Sequence, residues 1–199
     1  MDNIIANNKV TLNSLKVNRT PEIIKSVKDR LTEVYQMSSE HLNEESKILD
    51  IGTKDCLFFD VLVDKGFNKS KLTGIDCCEE VVKTCKDKGY FVIEEDAQET
   101  SFPDNSFDFI FMVHTLEHLP NPKQMVNECS RLLDGKGFVL IEVPIQTEID
   151  APEKWGHYHP FTSQGQVKDL FKGEYSVLKE DWQKTKSKSP WYRVLFQKI

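Results

Sequence analysis

The chain has 199 residues, enough for one domain with a full hydrophobic core that needs neither disulfides nor metals to hold it. Hydrophobic residues make up 39% and charged residues 29%, the balance of a soluble globular protein, and 26 basic against 32 acidic side chains give −6, which argues against a general nucleic-acid binder. No apolar run approaches the ~18 residues of a membrane span, and no basic start followed by an apolar stretch marks a secretory signal.

Residues 1–19 are rich in Asn and weakly patterned, and we expect a partly mobile extension before a single domain over 20–199. Thr20-Pro21 has the form of a helix cap followed by proline at the first position. Ile23, Ile24, Val27, Leu31 and Val34 then recur at helical spacing. An alternation begins at residues 47–52, KILDIG, a short apolar strand ending in Asp50 and Gly52. A helix over 56–65, a strand over 72–76 ending in Asp76, and a helix over 79–88 follow. In the last of these, Cys78, Val81, Val82 and Cys85 form an apolar stripe, acids fill the first turn, and Gly89 follows the end.

A third strand over 90–94 leads to Asp96 and Ala97. The run 107–113, dense in Phe, Ile, Met and Val, suits a central strand buried on both faces. Asn121-Pro122 starts a helix that Gly135 and Gly137 are expected to end, and a fifth strand runs over 137–144. Thr162 or Ser163 caps a short helix through Phe171, and strands over 175–179 and 192–197 close the chain, joined by a polar, basic linker over 183–189. Strands alternating with helices predict an α/β fold with an open, mostly parallel sheet covered on both faces. The final strand pair predicts an antiparallel hairpin at one edge.

The five cysteines, Cys56, Cys77, Cys78, Cys85 and Cys129, are odd in number and contain no CxxC pair. They read as free thiols packed as small apolar residues in a reduced, cytoplasmic compartment.

Ligands of doubly wound sheets bind beyond the carboxyl ends of the strands. Those ends carry Asp50 and Gly52, Asp76, Asp96 and Ala97, and His114. A dinucleotide needs a GxGxxG turn to cradle its pyrophosphate. The turn here is Gly52-Thr53-Lys54-Asp55-Cys56, whose Asp55 repels phosphate, so a nicotinamide oxidoreductase is disfavoured. S-adenosylmethionine carries no phosphate. It asks instead for carboxylates to meet its hydroxyls, ammonium group and adenine edge.

The series KILDIGTKDC, LTGIDCCEEVV, EEDAQETSFPDNSFDFIFMVHTLEHLPNP and LLDGKGFVLIEVP resembles the class I S-adenosylmethionine-dependent methyltransferases, over residues 45–180 or so. The resemblance implies a Rossmann-like seven-stranded sheet in the order 3-2-1-4-5-7-6, with S-adenosyl-L-methionine as cofactor. It places Asp50 and Gly52 at the cofactor's methionine end, Asp76 on the ribose hydroxyls with Cys77 beside the adenine, and Asp96 and Ala97 on the adenine. It places His114 near the methyl-transfer point. The family's first loop is typically DxGxGxG, and here Lys54 and Cys56 replace two glycines, which removes room for close approach.

His114, Glu117 and His118 fall at i, i+3 and i+4, so one helical turn would point them the same way. His157 and His159 follow the fifth strand in WGHYHPF. One reading is that Glu117 and His118 hold the loop by hydrogen bonds. A second gives His118, His157 or His159 a general-base role, since imidazole titrates near neutral pH. A third is a divalent metal, through a local likeness to the ExxEH step of small-RNA 3′-end ribose methyltransferases, with His114 where the first Glu stands; no metal ligand is assigned on it. Trp155, Tyr158 and Phe161 either line an acceptor pocket or cap the sheet edge.

The expected activity is methyl transfer by direct displacement to a small-molecule or sugar-like acceptor at O, N or C, with no membrane or nucleic-acid partner. The alternatives are a catalytically weak or inactive binding module with the altered Gly52–Cys56 loop, and a metal-assisted RNA-end ribose methyltransferase.

Overall fold

The computed structural model describes residues 20–146, 156–183 and 190–199. The expected N-terminal extension, Trp155 and most of the basic linker lie outside these residues. Helix α1 runs Pro21–Ser38, with Thr20 accepting a hydrogen bond from the Ile23 N–H as its cap. Then come β1 (Ile48–Ile51), α2 (Leu57–Asp64), β2 (Leu72–Asp76), α3 (Glu79–Asp87), β3 (Phe91–Glu94) and β4 (Phe107–Val113). The chain ends with α4 (Pro122–Leu132), β5 (Leu133–Pro144), α5 (Gln164–Phe171), β6 (Tyr175–Gln183) and β7 (Trp191–Lys198).

The seven strands form one sheet in the order β3-β2-β1-β4-β5-β7-β6, as the resemblance implies. Strands β1 to β5 pair in parallel, whereas β7 is antiparallel to both β5 and β6. The two-residue period of a strand divides the core between the faces. Ile110, Met112, Ile141, Val143, Val194 and Phe196 meet α4 and α5, while Phe109, Phe111, Leu140 and Leu195 meet α1, α2 and α3.

Two local expectations change. Gly135 and Gly137 lie inside β5, because α4 stops at Leu132 and the chain passes straight into the strand at Leu133. A side chain at Gly137 would press on the carbonyls of Asp134 and Asp108, at 3.0 and 3.1 Å, so the strand crosses β4 there only without one. The cysteines are not all free: Cys56 and Cys85 form a disulfide with their Cα atoms 5.9 Å apart, leaving Cys77, Cys78 and Cys129 as thiols. The pairing joins the turn after β1 to α3, a contact made by packing and not by proximity in sequence.

The FPDNSFD step is a turn pinned by one side chain. Arg131 of α4 donates to the Phe102 carbonyl at 2.7 Å, to Asp104 at 2.8 Å and to Glu128 at 2.7 Å. Among the described residues no helix is long and apolar enough to cross a membrane.

Candidate active site

The carboxyl ends of β1, β2 and β4 meet at one edge of the sheet, and the turn after β1 is built for close approach. The N–H groups of Gly52 and Thr53 both donate to the Ile75 carbonyl, at 2.8 and 3.1 Å, which folds the turn over the end of β2. Thr115, just beyond β4, donates its hydroxyl to the Ile51 carbonyl at 2.8 Å. A Cβ at Gly52 would collide with that hydroxyl, and φ at Gly52 is +79°, so two constraints select glycine. Lys54 and Cys56, which stand where the family's other glycines would, have φ of +55° and +60°. The backbone therefore keeps the left-handed conformation that glycine serves, at a strain cost of about 1–2 kcal/mol per residue.

Asp50 is 4% exposed. Burial, then the neighbouring carboxylates of Asp76 and Asp55, push its pKa up to about 7. Asp76 is buried at the tip of β2, and its two oxygens accept the N–H groups of Lys54 at 3.1 Å and Cys78 at 3.0 Å. Burial raises its pKa, against the lowering effect of those donors. Cys77 is half-buried, its thiol raised to about 12 by burial and by Asp76. Asp96 is exposed and shapes its loop by accepting the Gln98 N–H at 2.9 Å, while Ala97 is buried beside it. Gln98, which sequence reasoning passed over, is buried and accepts the Asn121 N–H at 2.8 Å, tying the loop after β3 to the start of α4.

The histidines separate. His114 sits at φ +56°, and a short 3-10 turn, Leu116–His118, follows it. This arrangement sets His114 Nδ1 3.3 Å from Glu117 and its Nε2 3.3 Å from Glu142. Burial lowers the His114 pKa, but the two carboxylates outweigh it and the value is raised. Burial likewise opposes the charge of Glu117, and His114 and His118 overcome it, so its pKa is lowered. His157 comes back to this turn: its ring lies 4.8 Å from that of His118, and burial lowers its pKa. His159 is turned away, its ring 2.7 Å from the Pro120 carbonyl and its N–H on the Glu117 carbonyl. Phe161 is 5% exposed and packs within the core on the α4 side, where it caps the sheet edge; Tyr158 is half-buried.

Sequence reasoning also missed a buried charge network. Glu142 of β5 stands opposite Arg193 of β7 in the antiparallel register, and Arg193 Nε donates to it at 2.9 Å. Arg30 of α1 reaches the other oxygen of Glu142 at 2.5 Å and stacks over Trp191 at 4.8 Å. Burial works against the Glu142 charge, but His114, Arg30 and Arg193 outweigh it and hold the pKa at about 2. The available signal was a single charge inside each of two apolar strands, FVLIEVP and WYRVLF.

Residues 49–141 match the family described as methyltransferase domain. The chain is 28% identical over 134 residues to demethylmenaquinone methyltransferase of Staphylococcus epidermidis, covering 64% of this chain and 55% of that one. It is 25% identical over 124 residues to the ubiquinone biosynthesis O-methyltransferase of Maricaulis maris, covering 57% and 46%. The chain thus spans about half the length of these curated relatives. In fold it superposes on a SAM-dependent methyltransferase of Methanosarcina mazei with a TM-score of 0.70 at 19% identity, covering 83% of this chain and 98% of that one. Residues 49–141, just under half of the chain, thus match a methyltransferase domain, and the seven-stranded sheet has the fold of the solved SAM-dependent methyltransferase.

Proposed function

We propose that the protein transfers a methyl group from S-adenosylmethionine to a small-molecule acceptor. The observation that carries this is the pair of buried carboxylates, Asp50 and Asp76, at neighbouring strand ends. Every influence on Asp50 disfavours its charge, so the ligand that suits it is a cation. S-adenosylmethionine brings an ammonium and a sulfonium. In this reading Asp50 and Gly52 hold the methionine end and the free lone pairs of Asp76 accept the ribose hydroxyls. Cys77, Asp96 and Ala97 border the adenine, and His114 lies near the reacting methyl.

Bound cofactor supplies a methyl already activated by the sulfonium. The acceptor's electron pair forms the new bond to carbon, the C–S pair stays on sulfur, and S-adenosylhomocysteine leaves. The residues here contribute alignment, exclusion of water and, where the acceptor carries a proton, its removal. His118 and His157 face each other beyond β4 and are the candidates for that last task as long as neither ring is engaged by an ion; His159 is a more remote one. The names of the quinone-pathway relatives favour an apolar acceptor with an oxygen substituent.

Calorimetric titration with S-adenosylmethionine and S-adenosylhomocysteine tests the reading. We expect micromolar binding, weakened at least about a hundredfold in Asp76→Ala, where two or more hydrogen bonds to a charged group are lost. No binding at millimolar ligand by folded protein would refute it. The side chains at Lys54 and Cys56 favour a second reading, a binding module without catalysis, which that negative result would support.

A further inference from the structure

We propose that Glu117, His118 and His157 form a site for one divalent first-row transition-metal ion. One ligand atom from each lies within 4.8 Å of the others. An ion of the zinc type holds such ligands at about 2.0–2.1 Å, hence about 3.4 Å from one another, so side-chain adjustments of roughly an ångström close the set. Glu117 is 1% exposed, and among the described residues neither of its carboxylate oxygens accepts a well-formed hydrogen bond, the ring of His114 standing 3.3 Å from one of them. The buried Nδ1 of His157 likewise has no hydrogen-bond partner. Leaving a charged acid and an imidazole nitrogen so placed is costly, and a shared cation removes both costs at once.

The surroundings have the form of an outer shell. His118 Nδ1 lies 3.0 Å from the Gly156 carbonyl, which fixes that ring and directs Nε2 as its coordinating nitrogen. His114 Nδ1, 3.3 Å from Glu117 Oε1, steadies the carboxylate. Two imidazoles and one carboxylate favour zinc, iron or a similar ion over magnesium or calcium, which prefer oxygen ligands throughout. Three protein ligands leave coordination positions open. Taken with the methyl-transfer reading, on which this last step rests, those positions narrow the acceptor to a molecule that presents an oxygen to the ion.

Cobalt(II) titration of the tag-free, EDTA-treated full chain tests the site without reference to activity. We expect one Co2+ per chain with visible d–d bands, displaced by Zn2+, and a band shift when catechol is added as an oxygen-donor probe. His157→Ala and Glu117→Gln should each weaken binding about tenfold or more, whereas His41→Ala, remote from the cluster, should not. Folded wild-type protein that takes up neither Co2+ nor Zn2+ at millimolar concentration would overturn the site, as would wild-type affinity in His157→Ala. Uptake without a catechol shift would overturn the acceptor inference alone. Metal uptake by a sample that fails to bind S-adenosylmethionine would refute the methyltransferase reading and leave the metal site standing.

Discussion

Of the four non-glycine residues at positive φ among the described residues, Lys54, Cys56 and His114 all lie at the carboxyl edge of the sheet; Asn105 sits in the pinned turn before β4. Such strain persists only where surrounding structure imposes it, and it gathers at sites that bind or react. Asp50 adds a charge burden at the same edge. Its folded pKa of about 7 stands well above the ordinary value of an aspartate. Between about pH 4 and pH 7 the folded state therefore keeps a proton that the unfolded chain has released. Ligand-free stability should accordingly fall as pH rises through that window, by up to about 4 kcal/mol, and level off above it. Denaturant unfolding at pH 5 and pH 8 measures this, and Asp50→Asn should flatten the dependence. An equal slope in wild type and variant would show that Asp50 is not the group responsible. In the same window a cationic ligand should bind more tightly as pH rises.

Among the elements, the turn after β1 and helix α3 are joined by Cys56 and Cys85, 29 residues apart. A cross-link closing a loop of that length stabilises by about 3.5 kcal/mol in the chain-entropy model. Reduction should lower the guanidinium midpoint correspondingly, and Cys85→Ser should match the reduced protein. Identical unfolding curves with and without reductant would mean that the two sulfurs stay thiols in solution. Most elements themselves were legible. Strands β2 and β4 fall where their apolar runs place them, because buried parallel strands need continuous hydrophobic side chains. The α4–β5 junction was not legible. Glycines usually close helices, but Gly137 is required by the crowded approach to β4, a contact between distant segments, whereas Gly135 has open space around it and turns the chain at φ +30°.

At the scale of the whole molecule, Glu142, Arg193 and Arg30 fasten α1 to the sheet through a buried charge network that also reaches His114. Removing one partner strands a charge in the core. Arg193→Met and Glu142→Gln should each cost about 3–5 kcal/mol in chemical denaturation. A loss below about 1 kcal/mol would show the network to be dispensable.

The sequence alone determined the alternation of strands and helices, because hydrophobic periodicity is a local property of the chain. It also placed Asp50, Asp76, Asp96 and His114 at strand ends, where the fold class puts ligands. The structure decided what pairs with what. It selected His157 to meet Glu117 and His118 and turned His159 to the Pro120 carbonyl. It buried Phe161, joined Cys56 to Cys85, and set Glu142 against Arg193. Each of these depends on the direction of side chains from segments distant in sequence, which becomes fixed only when the sheet is assembled and its helices pack on both faces.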